Sequence, residues 1–289
     1  MKYQYMRNNS NIFPVKKMAR VLKVSRSSYY SWLKSRPSDH ELRDKELLAA
    51  IKRIFESNRS EYGSPRIYKK LKGTEYSCSR KRIARIMREN NIIARKKRQY
   101  KITTDSSHNY PVSPNLINRN FTVESANAYW VSDITYISTW EGWLYLCVII
   151  DLFSRMIVGY SMASHIRADL AIDALNMAST HRKPNPGLIF HSDRGIQYAS
   201  ESFRVKLREH KMIQSMSRKG DCWDNACAES FFSTLKMEEV FKKSYKTRKE
   251  AQDSIFEYIA VFYNRQRIHS SLDYLSPAKY EELKFRKVA

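Results

Sequence analysis

The spacing of apolar side chains changes character near residue 120. Before it they recur every three or four residues, the pattern of helices that bury one face. After it they come in runs of β-branched and aromatic residues, as strands do. At the front, Pro14 suits the start of a helix carrying Met18, Ala19 and Leu22; Lys23, Val24 and Ser25 make a turn; and a second helix runs to about Lys34. The pair predicts a helix-turn-helix over 1–36, with Val24, Tyr29 and Leu33 inward and Arg26, Ser27, Ser28 and Tyr30 outward. Arg36, Pro37 and Ser38 break the chain, and an amphipathic helix follows through Leu47, Leu48, Ile51, Ile54 and Phe55. Ser64 and Pro65 suit the cap and first position of a short helix through Ile67 and Leu71, and Ser79 opens another that Asn90 and Asn91 end. These helices predict a second module over 38–101 with a basic tail, and 102–122, with Pro111 and Pro114, reads as an extended connector.

The second half alternates differently. Residues 129–138, 143–151 and 155–162 are three strand-like runs separated by short turns, an antiparallel meander. A helix over about 169–180, a short strand at 188–191, a helix near 201–209, a strand at 212–217 and a further helix follow. A meander followed by crossovers predicts an α/β fold, a ribonuclease H-like mixed five-stranded sheet with flanking helices, over 123–242. Helices over 247–263, opened by Thr247 and Glu250 as a capping box, and over 277–285 make a C-terminal helical extension, 243–289.

Charge separates the halves further. The chain has 52 Lys and Arg against 29 Asp and Glu, a net of +23. Residues 1–120 hold 29 basic and 9 acidic side chains, whereas 121–289 hold 23 and 20. So lopsided a front end points to a polyanion, and nucleic acid gains affinity from each phosphate neutralised. The outward Arg26, Ser27, Ser28 and Tyr30 become DNA-contact candidates, with Arg66 and Arg80 in the second module. The run Arg95, Lys96, Lys97 and Arg98, followed by Tyr100 and Lys101, reads either as a segment lying along a phosphate backbone or as a solvated linker. No apolar run approaches the roughly 18–20 residues of a bilayer span, and a cytoplasmic location is expected. Cys78, Cys147, Cys222 and Cys227 are too few and too irregular for a disulfide framework or a zinc site, and read as reduced thiols.

Three acids stand where chemistry would want them. Cutting or joining a phosphodiester requires an oxygen nucleophile, an in-line leaving oxygen and neutralisation of the charge between them, which two Mg2+ ions on clustered carboxylates provide. Asp133 interrupts an apolar strand, Asp193 follows the strand LIFHSD, and Glu229 lies on the helix NACAESFFSTLK, which Asp224 or Asn225 is placed to cap. The 35 residues between Asp193 and Glu229 carry little weight alone, because 29 acids produce such separations by chance. Asp151, at the end of the second strand, reads as structural.

The flanking strings are more specific. WVSDITYI around Asp133, HSDRGIQY from His191 to Tyr198, the segment Ser217, Gly220, Asp224, Asn225, Ala226, Glu229, Ser230, Phe231, Phe232, Leu235 and Lys236, and YNRQRIHSSLDYLSP from Tyr263 to Pro277 resemble the OrfB-type transposases of bacterial insertion sequences (insertion sequence family three). At the front, KVSRSSYYSWL and SEYGSPRIYKKL resemble that family's two helical DNA-binding regions. The resemblance covers nearly the whole chain. It implies a retroviral-integrase-like core preceded by all-α helix-turn-helix modules, with Asp133, Asp193 and Glu229 as catalytic and metal-binding residues for two Mg2+ ions, Mn2+ substituting. It further implies binding of the element's terminal inverted repeats, strand cleavage, transfer through a circular intermediate into target DNA, and at least a dimer on double-stranded DNA in the bacterial nucleoid.

Other residues take their expected roles from position. Lys236, two helical turns after Glu229, is expected on the same face near the cleaved phosphate, or else is a solvated helix lysine. Arg194 and His191 flank Asp193 as DNA-contact, supporting or structural groups, and Arg265, Arg267 and His269, with Asn264, form a basic cluster read as a phosphate contact. Trp223 reads as a base-stacking residue or a packing anchor. The family commonly joins an upstream OrfA product by frameshift; no sustained heptad precedes the core here, so this chain is expected to be the OrfB portion or a variant that works without the fusion. The rival readings are a ribonuclease H-like nuclease that never joins, which the large end-binding front disfavours, and an inactive DNA-binding repressor, which three intact carboxylates disfavour.

Overall fold

A computed structural model describes residues 1–34, 38–94, 112–118, 123–218 and 225–286. The first module contains α1 (Lys2–Asn8), α2 (Val15–Val21) and α3 (Arg26–Lys34) around Met6, Met18, Ala19 and Tyr29. Lys23 takes a left-handed conformation (φ 51°) in the turn of the expected helix pair. The sequence pattern did not reveal α1, and this changes what α3 buries. Tyr3 on α1 lies 6.1 Å from Tyr29 and 5.8 Å from Trp32, ring centre to ring centre, so Trp32 turns inward. Leu33, expected inward, is instead 42% exposed.

The second module packs α4 (Asp39–Ser57), α5 (Ser64–Leu71) and α6 (Arg80–Glu89) around Leu47, Ile51, Tyr62, Ile67 and Ile83. A reciprocal capping box fixes the start of α4: Ser38 Oγ accepts from Glu41 N at 3.2 Å, and Glu41 Oε2 accepts from Ser38 N at 2.8 Å. The cap of α5 is Gly63, one residue before the expected Ser64, and Ser79 caps α6 through Arg82 N at 3.2 Å. Asp44 on α4 ties α6 down by ion pairs of 2.6 Å to both Arg82 and Arg85. This module is docked on the rest of the chain: Ile268 joins its core and donates its backbone N–H to the Tyr62 hydroxyl at 2.9 Å.

Among the described residues five strands form one sheet, in the order β3-β2-β1-β4-β5. β1 (Tyr129–Thr139), β2 (Gly142–Asp151) and β3 (Ile157–Ala163) are the antiparallel meander, while β4 (Ile189–Ser192) and β5 (Ile213–Met216) run parallel to β1. This is the expected ribonuclease H topology. α7 (Ala168–Arg182), α8 (Ile196–Ala199) and α9 (Glu201–Glu209) cover one face, where Trp130, Cys147 and Ile149 meet Leu175 and Phe203. α7 lies so close to β3 that a Cβ on Gly159 would stand 2.4 Å from Ala174 O, which explains a glycine in mid-strand.

The other face buries Val131, Ile137, Val148 and Ile150 against α10 (Ala226–Glu238) and α11 (Arg248–Glu257). α11 runs on as a π-helical turn, Tyr258–Tyr263, and α12 (Pro277–Phe285) closes the described chain. Two expected caps differ in detail. Asn225 precedes α10 without a side-chain cap bond; its amide donates to Ser132 O at 3.1 Å and stitches the helix to β1. Thr247 Oγ1 accepts from Glu250 N at 3.1 Å, but the Glu250 carboxylate accepts from Lys246 N, one residue before the partner a capping box needs.

Candidate active site

The sheet brings the first two acids together by register. β4 pairs with β1 only from Tyr129 to Val131, and Val131 lies opposite His191. Two residues further along the chain in each case, Asp133 within β1 and Asp193 just past β4 lie near each other beyond the end of the parallel pairing. Asp133 shares its face of β1 with Val131 and Ile137, the face that α10 covers, so Glu229 approaches from above. All three acids are partly buried, enclosed yet open to a ligand.

Burial pushes the Asp133 carboxyl well above the usual carboxylate range, and the nearby Asp193 and then Glu229 push it further. A bond from Ile134 N to Asp133 Oδ1 at 2.8 Å and the Lys236 ammonium oppose the rise without cancelling it. Burial also raises Glu229. Asp193 is oriented by Gly195 N, which donates to its Oδ1 at 2.9 Å. Lys236 is nearly buried; burial lowers its ammonium while Asp133 draws it back up, and its Nζ lies 5.0 Å from the centre of the Tyr136 ring. Lys236 therefore turns toward the carboxylates and is not a solvated helix lysine. Among the described residues no three His, Cys, Asp or Glu side chains are gathered closely enough to hold a metal ion as they stand.

Behind the acids lies a buried polar layer that sequence reasoning did not anticipate. Ser132 Oγ bonds to Val148 O at 2.9 Å and to the Tyr198 hydroxyl at 2.8 Å, and burial holds the adjoining Cys147 thiol at about 12. The signal was present in the alternation of β1, which turns Ser132 away from Asp133 into the opposite core. His191 on β4 is fully buried, with Nδ1 2.8 Å from Ser215 Oγ and Nε2 3.2 Å from Ser217 Oγ, the surroundings of a structural group. Arg194 Nε donates to Ser217 O at 2.7 Å. Asp151 is structural as expected: it accepts from Asn127 N at 2.8 Å and Phe153 N at 2.9 Å and faces Arg182, which also pairs with Glu281 of α12.

The DNA-contact candidates divide. Arg26, Ser27, Ser28, Tyr30, Arg80 and Arg265 are exposed, as a phosphate contact requires. Arg66 is half-buried, its guanidinium 5.3 Å from the centre of the Tyr62 ring. The fold splits the basic cluster after α11 that was read as a phosphate contact, leaving Arg265 exposed and drawing its neighbours inward. Arg267 is buried and bound to both Glu238 oxygens, with Nη2 2.7 Å from Oε1 and Nε 2.8 Å from Oε2. Asn264 holds the backbone of Ile157 through two 3.0 Å bonds, and His269 stands edge-on to Tyr263 at 4.8 Å. Burial, with Arg267, Arg66 and Arg155 close by, pushes the His269 imidazole down to about 2, so it is neutral. The π turn and the buried Glu238 draw these residues in, whereas the sequence suggested an exposed basic loop. Arg95, Lys96, Lys97, Arg98, Trp223 and Asp224 lie outside the described residues.

A mixed five-stranded sheet with one acid in the middle of its first strand, a second just past its fourth and a third on the covering helix defines the integrase-core class of polynucleotidyl transferases. The chain matches the integrase core domain family over residues 123–222 and again over 229–285, and the HTH-like domain family over 41–100. It is 43% identical over 272 residues to the insertion element IS600 31 kDa protein of Shigella sonnei, covering 94% of this chain and all of that one. It is 39% identical over 287 residues to transposase InsF of insertion sequence IS3A from Escherichia coli K12, covering 97% and 98%. The catalytic core of BIV integrase overlays 56% of this chain and 99% of that one at 13% identity and a TM-score of 0.43, and adds nothing to what the topology shows. The chain belongs to the family of insertion-sequence transposases that includes InsF.

Proposed function

We propose that this transposase cuts and joins DNA at divalent metal ions held by Asp133, Asp193 and Glu229, two Mg2+ ions with Mn2+ able to replace them. The supporting observation is Asp133, a partly buried carboxylate crowded by two others, whose ionised form needs more positive charge than Lys236 brings. Mg2+ suits such a set, because it takes one or two carboxylates and fills its remaining positions with water and phosphate oxygens. Asp133, with Asp193 and Glu229 near enough to raise its carboxyl, would hold the ions in that way. When bound, the ions supply charge neutralisation at the phosphate and a more acidic nucleophilic oxygen. The protein supplies the rest. The sheet fixes Asp133 and Asp193 in register, α10 carries Glu229 and Lys236 on one face, and Lys236 offers its ammonium to the phosphate being cut.

The two helical modules bind the element's terminal inverted repeats, with Arg26, Ser27, Ser28, Tyr30 and Arg80 toward the duplex. Water attacks the phosphodiester at the element end and expels its 3′-oxygen as a hydroxyl; that hydroxyl then attacks a second phosphodiester and joins it as the target strand's own 3′-oxygen leaves. Two ends held at once call for an oligomer, at least a dimer, on DNA, and an upstream OrfA product is a candidate fusion partner. The test incubates the full chain with a labelled element-end duplex and a target plasmid, in Mg2+, Mn2+ or EDTA. Joined product in either metal and none in EDTA is expected. Cutting without joining would favour the nuclease reading, and binding without cutting the repressor reading.

A further inference from the structure

A second site lies on a neighbouring face of α10. A cavity of about 410 Å3 is lined there by Ser230 and Thr234, by Arg66 of α5, by Arg155 from the turn between β2 and β3, and by Arg267 and His269. Basic groups from the second helical module, the β2–β3 turn and the segment after α11 thus converge on one space. Its acids are already engaged: Glu238 accepts from Arg267 and, at 2.8 Å, from the Tyr258 hydroxyl, while Glu61 pairs with Lys242 at 2.5 Å. Arg66 is attracted by Glu238, but Arg267 holds that carboxylate, and the half-buried Arg66 guanidinium rests on the Tyr62 ring. His269 Nε2 is buried with no hydrogen-bond partner, an unmade bond that a folded protein rarely tolerates. Ser230, Ser270 and Ser271 also line the cavity and are exposed, so it opens to solvent through hydroxyl donors.

We infer that this cavity is a phosphate site that receives one backbone phosphodiester of the element-end duplex, with Arg66 and His269 Nε2–H as donors inside and the serine hydroxyls at its mouth. The inference rests on the DNA-binding part of the function proposed above and names a contact within it. Arg66 belongs to the HTH-like module and Ser230 follows Glu229 on α10. A strand seated here sets the end-binding module in register with the helix that carries the third acid.

Binding of the full chain to element-end duplexes, measured in EDTA so that the fate of the carboxylate site does not enter, provides the test. Single methylphosphonate substitutions neutralise the duplex phosphates one at a time. One position is expected to weaken wild type but to have no further effect on Arg66→Gln, and the slope of log affinity against log salt should fall by about 0.9 in that variant. Effects that add at every position, or an unchanged slope, overturn the inference. If Arg66→Gln does not fold, Arg66→Lys and His269→Gln carry the same scan, and additivity in both overturns it. Inorganic phosphate, followed by 31P line broadening, separates the sources: phosphate binding lost in Arg66→Gln alongside a fully additive scan assigns the cavity to free phosphate and rejects the backbone contact.

Discussion

Arg265 and Arg267, two residues apart in a basic segment, should respond in opposite ways to the same substitution. Arg267 and Glu238 are each 6% exposed and joined by bonds of 2.7 and 2.8 Å. Arg267→Gln leaves the Glu238 carboxylate buried with only part of its bonding, and breaking a buried pair in this way costs about 3–5 kcal/mol. At roughly 2–4 °C per kcal/mol, the midpoint should fall by roughly 6–20 °C. Arg265 is exposed, and Arg265→Gln should stay within about 0.5 kcal/mol of wild type while weakening DNA binding. Calorimetry and urea titration of both variants supply the measurement. The pH dependence has a definite sign. Burial raises Glu238, but the Arg267 bonds more than offset this and hold it below the ordinary 4.5. A depressed carboxyl contributes stability above its unfolded value, and that contribution is lost as pH falls through the folded value. The gap between wild type and Arg267→Gln should therefore be full at pH 7 and close below about 4.5. Equal midpoints for the two variants, or an Arg267→Gln protein that keeps its midpoint and loses only DNA affinity, would refute the buried assignment.

Asp133→Asn should abolish strand transfer yet raise stability in EDTA at pH 7–8 by about 0.5–2 kcal/mol, because the ionised carboxylate is held against burial and two like charges. Since its folded pKa is raised, the penalty is absent below the ordinary 3.8 and complete above the folded value, so the gain should shrink as pH falls. Millimolar Mg2+ should narrow the gap by stabilising wild type alone, and a variant less stable than wild type in EDTA at pH 8 would count against the crowded site. Gly159→Ala should cost about 1–3 kcal/mol by forcing α7 off β3, which thermal unfolding reads directly. Ser79→Ala removes the cap of α6 and should cost about 1 kcal/mol, with faster amide exchange in the first turn of that helix and weaker DNA binding.

Much of this arrangement is legible in the chain because local rules and tertiary packing agree. The meander, the crossovers and the contexts of Asp133 and Asp193 follow from runs whose period and turn residues admit one reading, and β1–β4 register does the rest. Pairwise tertiary choices were not legible. Trp32 displaced Leu33 because Tyr3 on an unanticipated helix offers an aromatic partner, a contact nearly thirty residues away in sequence. The basic string after Tyr263 reads as surface until Glu238 is known to be buried beneath it. Charge composition identifies a polyanion-binding front but does not tell an exposed arginine from one that neutralises a buried glutamate. The cavity beside α10 was illegible for the same reason, since its donors come from segments that only the fold assembles.

Asp133, Asp193 and Glu229 are proposed to act as one metal-dependent site in a DNA-joining enzyme. Asp193→Asn tests that role most directly, because Asp193 is shaped by a local bond from Gly195 and its replacement keeps the side chain's size. Element-end binding and strand joining should be measured on the same preparation, in Mg2+ and in Mn2+. Wild-type affinity for the end duplex and no joined product in either metal are expected. Joining by Asp193→Asn at the wild-type rate would contradict that role.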